Sequence, residues 1–155
     1  MQGESVRCPT CQSEALQSDR CEERIVVGGE TFVVDVVCER CVKCGEEVVS
    51  YQARSAAELT VAFALAQRGR LSGTTLRFMR KALGYQAGEL ATLIDVTPET
   101  FSRWENGERL PEGRAFVLVG LLVAARLRGS NDAVGLLEAL RAPVQFAAAP
   151  VKLAG

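Results

Sequence analysis

Six cysteines and a lack of histidine constrain this 155-residue chain more than any other property of its sequence. All six cysteines lie between Cys8 and Cys44. Without histidine, the chain has no imidazole general base, no Ser-His-Asp or Cys-His nucleophile pair and no mixed Cys/His metal site. Any metal ion bound by this cluster must therefore be held by thiolates.

The cysteines include two Cys-x-x-Cys pairs, one on each side of a β-rich segment. Cys8 and Cys11 form the first pair, and Cys41 and Cys44 form the second, followed by Gly45, which lets the backbone turn tightly around an ion. Tetrahedral zinc is commonly bound by two such knuckles, and four thiolates leave no open position for water. We therefore predict one structural Zn²⁺ held by Cys8, Cys11, Cys41 and Cys44.

Two cysteines are left over by this assignment. Cys38 ends the β-rich run and is expected to be a packed thiol or a spare metal ligand, whereas Cys21 is isolated in the sequence. A disulfide framework and a redox dithiol are the alternatives to a metal site. Both are disfavoured because residues 1–7 contain no apolar signal segment, which predicts a cytoplasmic chain in a reducing compartment. An enzyme that used either leftover cysteine as a nucleophile would lack a base.

The cysteine-rich segment is predicted to be a small β module over residues 1–54. Two β-branched runs, 24–27 and 31–37, flank Gly28-Gly29, which indicates a hairpin. Two strands bury little apolar surface, so a module of this size needs a metal ion or a disulfide to fold.

After the β module the hydrophobic pattern becomes helical. Ser55 and Glu58 can form a capping box, and Gly69 can end this first helix. The predicted order is a helix and linker at 55–70, a helical domain at 71–141 with helices at about 72–83, 86–94, 98–106, 112–128 and 132–141, and a loose tail at 142–155.

Two of the predicted helices match the helix-turn-helix layout. The tight turn Asp95-Val96 joins them, and the second helix opens with Thr97 as N-cap, Pro98 at the first helical position and Glu99 in the first turn. In this layout the N-terminal residues of the second helix face the base edges in the major groove. Spacing alone does not separate this motif from other αα-hairpins.

The residues of the helical half resemble the phage-repressor-like (Xre-type, or lambda-repressor-like) helix-turn-helix family. The matching segments are LRFMRKALG at 76–84, ELA at 89–91 and FSRWENGERLP at 101–111. Together with the Cys-x-x-Cys-Gly-Glu ending at 41–46, the order of elements resembles the MqsA antitoxin family, with its YgiT-type zinc finger, over residues 7 to about 128. The resemblance implies a zinc-binding domain that holds a toxin, commonly an mRNA-cleaving ribonuclease, and a dimerising domain that represses its own operon.

The resemblance also implies which residues contact DNA. Arg103 stands where the family has a base-reading arginine, and its side chain suits bidentate contact with guanine. Glu99 replaces the family's asparagine and can accept from cytosine, although phosphate repels it. Ala87 occupies the position of the glutamine that opens the preceding helix, with Gln86 one residue earlier. The other candidate DNA contacts are Thr97, Thr100, Ser102 and Arg109.

Several neighbouring residues have structural explanations. Phe101 and Trp104 share the face expected to pack on the preceding helix and are predicted to be core residues, while Glu105 is predicted to cap or pair within the domain. The basic residues of the helix predicted at about 72–83 are placed on a solvated face, where phosphate contact and solubility both stay open: Arg77, Arg80 and Lys81.

Charge and apolar patterning predict the partners. Residues 1–54 carry six Lys/Arg and ten Asp/Glu, whereas residues 70–114 carry seven and six. The acidic front half is therefore a predicted surface for a basic protein such as a ribonuclease toxin.

The run 116–123 is apolar on every side of its helix, which predicts a two-fold homodimer interface on palindromic double-stranded DNA. The longest run without charge, 115–125, is far shorter than the roughly 20 residues of a membrane span.

The sequence leaves two functions open. The first is a zinc-bound antitoxin that also acts as a DNA-binding autorepressor. The second is a stand-alone transcriptional regulator of the same architecture, whose zinc module senses metal or oxidant or braces the fold. The sequence predicts no enzyme, because it contains no paired carboxylates, phosphate-cradling glycine loop or open metal position.

Overall fold

The computed structural model describes residues 7–141. The predicted tail, 142–155, lies outside these residues. Within them, three strands precede six helices: β1 (Leu16–Val27), β2 (Glu30–Cys41), β3 (Glu47–Val48), α1 (Tyr51–Gln67), α2 (Gly73–Leu83), α3 (Ala87–Leu93), α4 (Pro98–Glu105), α5 (Gly113–Leu127) and α6 (Asp132–Arg141). The small antiparallel sheet at the front of the chain and the helical region behind it agree with the prediction.

The predicted hairpin turn is confirmed. Val27 pairs with Glu30 across a two-residue loop, and the strand order of the antiparallel sheet is β1-β2-β3. Gly28 and Gly29 have φ angles of 59° and 82°, the left-handed region that both central residues of this tight hairpin turn require.

Both hairpin strands are longer than predicted. β1 extends toward the cysteine pairs through residues 16–23, a charged stretch without an apolar alternation, and β2 extends through residues 38–41. Arg20 pairs with Asp35 at 2.6 Å, and Arg40 pairs with Asp19 at 2.5 Å and with Glu47 at 2.7 Å. These cross-strand ion pairs explain why exposed polar residues lie in strands here.

Helix α1 packs on two cores at once. Its Ala57, Val61 and Leu65 pack against the hairpin, whereas Ala62 belongs to the core of the helical half. Ser50 caps the helix by accepting from the Ala53 N–H at 3.1 Å. The predicted start at Ser55 with a capping box to Glu58 is therefore wrong. The hydroxyl of Ser50 provides the cap, so α1 begins about one turn earlier, at Tyr51.

Local hydrogen bonds cap the following helices, and the cap of α4 agrees with the sequence prediction. Ser72 and Thr97 cap α2 and α4 by accepting backbone hydrogen bonds at 3.1 and 3.2 Å. At the start of α3, the Gln86 N–H donates to the Glu89 carboxylate at 2.8 Å. These local hydrogen bonds fix where α2, α3 and α4 begin.

The core of the helical half is centred on two aromatic residues of α4. Phe101 and Trp104 are both fully buried, with ring centroids 6.2 Å apart. They share the core with Leu76 and Met79 of α2 and Val119 of α5. The prediction that both aromatics are core residues is confirmed.

The first turn of α2 lies directly against the end of α4, which makes Gly73 a sensitive position. A Cβ added at Gly73 would overlap the Trp104 carbonyl oxygen, so the two helix ends must separate. We expect Gly73→Ala to lower the free energy of unfolding by about 1–3 kcal/mol in urea denaturation. The control is Gly88→Ala in α3, where a Cβ meets no neighbour within 4 Å and helix propensity favours alanine. Equal losses at both positions would contradict this packing.

None of the helices within residues 7–141 combines the length and the apolar character needed to cross a lipid bilayer.

Candidate functional site

Four cysteines meet at the open end of the hairpin. The Sγ atoms of Cys8, Cys11, Cys41 and Cys44 all lie within 4.8 Å of one another, and the Cys8–Cys44 and Cys11–Cys41 separations are both 3.5 Å. A tetrahedral ion with Zn–S bonds of about 2.3 Å keeps its sulfurs roughly 3.8 Å apart. The four thiols are thus positioned to bind one metal ion, and their chemistry is consistent with zinc.

The second knuckle owes its shape to backbone hydrogen bonds. The Cys41 N–H donates to the Glu46 carbonyl and the Gly45 N–H donates to the Cys41 carbonyl, both at 2.8 Å. Gly45 has a φ of 78°, as expected for the glycine that closes the turn. The Val42 N–H donates to the Ala15 carbonyl at 2.9 Å and so ties this knuckle to the first.

The first knuckle repeats the same backbone pattern. The Cys8 N–H donates to the Ser13 carbonyl and the Gln12 N–H donates to the Cys8 carbonyl, both at 2.9 Å. Gln12 adopts a φ of 59° at the position that corresponds to Gly45. The two knuckles are therefore structural repeats, although only the second carries the glycine that the sequence prediction relied on.

Hydrogen bonds and desolvation shift the pKa values of Cys41 and Cys44 in opposite directions. The backbone N–H groups of Cys44 and Lys43 stabilise the Cys41 thiolate and help lower the pKa of Cys41 to about 7. The Glu46 N–H acts in the same direction on Cys44, but burial and the neighbouring thiols outweigh it and raise the pKa of Cys44 to about 12. A bound cation would displace the remaining protons from the cluster.

Cys21 and Cys38 are joined in a disulfide, with Cα atoms 6.0 Å apart. The expectations that Cys38 is a packed thiol or spare ligand and that Cys21 is isolated are therefore wrong. In the strand register Cys21 lies opposite Val36 and Cys38 lies opposite Asp19, so the two cysteines are diagonal neighbours on the face that packs on α1. Predicting β1 to begin at residue 24 left Cys21 outside the hairpin and concealed this pairing.

The exposed face of α4 carries two charged side chains without partners. Glu99 and Arg103 are exposed and one helical turn apart, and Ser102 lies on the same face. Within residues 7–141, neither the Glu99 carboxylate nor the Arg103 guanidinium has a hydrogen bond or ion pair. Both charges are therefore available to an outside partner.

The other predicted contact residues surround this face. Thr97 caps α4 and Thr100 is half-buried beneath the cap, with their hydroxyl oxygens 3.0 Å apart. Gln86 is exposed at the start of α3, and Arg109 is exposed after α4, 3.9 Å from the Glu112 carboxylate. The turn from α3 to α4 passes through Asp95, whose φ of 60° permits the sharp change of direction.

A buried ion pair fastens the end of α4 to α2. The Arg80 guanidinium donates to both carboxylate oxygens of Glu105, at 2.7 and 3.1 Å, and to the Tyr85 carbonyl at 2.8 Å. The side chains of Arg80 and Glu105 are only 11% and 6% exposed. The expected pairing of Glu105 within the domain is confirmed, but the solvated position predicted for Arg80 is wrong because Glu105 and Tyr85 draw its guanidinium inward.

Arg77 and Lys81 remain nearer the surface of α2. Arg77 is half-buried and donates to the Asn106 side chain at 2.7 Å, next to the exposed face of α4. Lys81 is exposed. Of the three basic side chains on α2, only that of Arg80 is largely buried.

Residues 6–125 match a family model described as the antitoxin component of the bacterial toxin-antitoxin system, MqsA. The chain belongs to the MqsA antitoxin family. The match covers both cysteine knuckles and helices α1–α4, and it ends within α5. No curated protein matches this MqsA-family chain. Family membership supports an antitoxin role for the protein and implies a toxin as its partner.

Proposed function

We propose that this antitoxin binds one structural zinc ion and represses transcription by binding operator DNA through α4. The observation that carries the DNA-binding part is the pair of exposed, unpartnered charges at Glu99 and Arg103, opposite the buried Phe101 and Trp104. Glu99 and Arg103 are four residues apart, so they could form an ion pair with each other if they served only solubility. Their availability supports recognition of an outside partner.

Zinc is the metal that best suits the cysteine cluster. Cys8, Cys11, Cys41 and Cys44 would hold it through four thiolates, which fills a tetrahedral shell and supports a structural role. The bound ion would supply the charge that keeps four thiolates together, since the pKa of Cys44 near 12 leaves this thiol protonated at neutral pH without a cation.

In the proposed DNA complex, the exposed face of α4 that carries Glu99, Ser102 and Arg103 enters the major groove. Arg103 donates two guanidinium N–H groups to guanine, and Glu99 accepts from the amino group of cytosine. Thr97, Thr100, Ser102, Gln86 and Arg109 supply hydrogen bonds to phosphates or bases. The Arg80–Glu105 pair holds α4 at its angle to α2, so it acts on DNA binding by positioning α4.

The decisive test of the DNA-binding proposal is Arg103→Ala. We expect it to weaken operator binding by about 1–3 kcal/mol, or roughly 5- to 150-fold, and to relax base preference at one position, measured by fluorescence anisotropy with variant duplexes. Arg24→Ala, which removes an exposed arginine from the hairpin, is the matched control and should leave binding unchanged. Equal binding by Arg103→Ala and the unmodified protein would refute the assignment of α4.

We propose that part of α5 forms a two-fold homodimer interface. Val117 and Leu121 lie one turn apart on this helix and remain 59% and 55% exposed, whereas seven other α5 residues are buried within the chain. A two-fold dimer would place two copies of α4 about 34 Å apart, one turn of DNA, on a palindromic site. Sedimentation of the full chain should give a dimer that Leu121→Glu dissociates. A monomeric full chain would refute this interface.

The toxin partner is proposed to be a small basic ribonuclease that binds the metal-bearing front of the chain. The net acidic charge of residues 1–54 supports this complementarity. The test is a pull-down of the tagged full chain from its native cell, with mass spectrometry of the retained proteins. We expect a small basic protein whose retention falls as salt rises. Recovery of only the homodimer and DNA would contradict the toxin-binding proposal.

The alternative function is a stand-alone transcriptional regulator that senses metal or oxidant. One observation favours it: a disulfide lies beside the metal cluster on the same hairpin. Loss of operator binding after mild thiol oxidation would support this alternative, because a purely structural zinc site should be comparatively inert. Unchanged operator binding would favour the antitoxin and autorepressor.

A further inference from the structure

The hairpin contains two separate kinds of cross-link. The cysteine cluster holds its open end, and the Cys21–Cys38 disulfide joins β1 to β2 in the middle of the ladder. The function proposed above uses only the first cross-link. Cys38 and Cys41 lie on the same strand, three residues apart, so both cross-links constrain the pairing of β2.

The disulfide lies where the sheet supports α1. Cys21 and Cys38 are 5% and 2% exposed and share a cluster with Val36 of β2 and Ala57 of α1. When β1 separates from β2, this cluster opens and the sheet-facing side of α1 loses its cover. An intact disulfide prevents this separation at the centre of the hairpin whether or not the open end is held.

An open cavity lies beside Cys38. An open cavity of about 430 Å³ is lined by Cys38 together with residues of β1, β2, β3 and the start of α1: Ser18, Val37, Glu39, Val48 and Ser50. This volume falls within the range that accommodates small ligands. The cavity gives a low-molecular-weight thiol a place next to Cys38, although the disulfide itself is buried.

We propose that Cys21 and Cys38 form a thiol–disulfide exchange site for a low-molecular-weight thiol, and that the redox state of this pair determines whether the front module stays folded after metal loss. The second part rests on the proposed metal binding by the four-cysteine cluster. In the oxidised form, either cross-link maintains the hairpin. In the reduced form, only the metal does.

The exchange proceeds in two balanced steps. The thiolate of a small thiol attacks one sulfur of the Cys21–Cys38 bond, which forms a mixed disulfide and releases the other cysteine as a thiolate. A second small thiolate then attacks the mixed disulfide, and the proton count is restored from solvent. The protein disulfide and two small thiols thus yield a protein dithiol and one small disulfide. The reverse reaction oxidises the protein at the expense of the small disulfide.

Trypsin cleavage within β1 measures the state of the hairpin directly. Arg20 and Arg24 are exposed, but they lie in a paired strand and become good substrates only when the strand separates. The metal-loaded full chain is equilibrated with either reduced or oxidised glutathione. The metal is then removed with a chelator while N-ethylmaleimide traps the released thiols, and cleavage at Arg20 and Arg24 is timed by mass spectrometry.

We expect metal removal to accelerate cleavage by at least about tenfold in the reduced protein and by less than about twofold in the oxidised protein. The control is Cys21→Ala/Cys38→Ala, which should behave as the reduced protein under both conditions. Comparing two redox states of the unmodified chain keeps the test valid even if this double variant folds poorly.

Two results would overturn the proposal: equal acceleration in the two redox states, or free thiols at Cys21 and Cys38 after equilibration with oxidised glutathione. Metal content measured before chelation separates this proposal from the zinc proposal. A chain that holds no metal, yet resists trypsin only when oxidised, would contradict the zinc site and support the exchange site.

Discussion

In the reduced protein, replacing Cys41 with serine is expected to abolish stable metal binding and to unfold the front of the chain. Cys41 is buried, accepts two backbone hydrogen bonds at its sulfur and lies 3.5 Å from the sulfur of Cys11, within the four-cysteine cluster. Because metal binding and folding are coupled in a module of this size, we expect the apparent affinity for zinc to fall by at least about a thousandfold. Chelator competition and metal analysis per chain measure this loss, and circular dichroism follows the strands.

The matched control for Cys41→Ser is Cys38→Ser, studied in the reduced protein. Cys38 lies three residues away on the same strand and bonds to Cys21 instead of joining the cluster. This variant should retain one metal ion per chain. Metal loss in Cys38→Ser, or one retained ion in Cys41→Ser, would contradict the assignment of the four ligands.

Removing the carboxylate of Glu105 is expected to destabilise the helical half by about 3–5 kcal/mol. Glu105→Ala leaves the Arg80 guanidinium, 11% exposed, without its main partner at the junction of α2 and α4. The loss is measured by urea denaturation followed by Trp104 fluorescence. The indole ring of Trp104, the residue before Glu105, is buried in the folded protein and becomes exposed on unfolding. Operator binding should weaken as well, since α4 loses its attachment to α2.

Two variants separate the buried pair from ordinary ion pairing. Asp35→Ala removes a carboxylate that contacts Arg20 at a similar distance on the exposed side of the hairpin, and it should change the free energy of unfolding far less. Arg80→Met/Glu105→Leu replaces the buried pair with apolar side chains and should recover much of the stability lost in Glu105→Ala. A Glu105→Ala variant no less stable than Asp35→Ala would show that the buried pair contributes little.

Sequence reasoning succeeded where short-range chemistry determines the structure. The spacing of the two Cys-x-x-Cys pairs predicted the four-cysteine cluster, and Gly28-Gly29 predicted the hairpin turn. Thr97 acts as a helix cap because a hydroxyl and an N–H three residues later suffice to form the bond. Each of these features depends on residues close together in the chain or on a ligand set with few alternatives.

Sequence reasoning failed where the deciding partner lies far away in the chain. The polar half of β1 is stabilised by ion pairs such as Arg20–Asp35, which no local alternation reveals. Arg80 looked solvated because its carboxylate partner lies 25 residues away on another helix. The Cys21–Cys38 bond required the hairpin register, which follows from the turn only once the full length of both strands is known. The start of α1 was missed because Ser50 and Ser55 are equally plausible caps by type.

The two-sided packing of α1 limits how this protein can be modified by recombination. A metal-bearing module that ended before a flexible linker could be exchanged between regulators as an independent cassette. Here one helix covers the sheet with Val61 and Leu65 and contributes Ala62 to the core of the helical half, and Arg68 just beyond it pairs with Glu30 of β2. A transplanted front module would have to bring a helix that fits two unrelated surfaces, so the two halves of the chain are expected to accumulate compensating substitutions together.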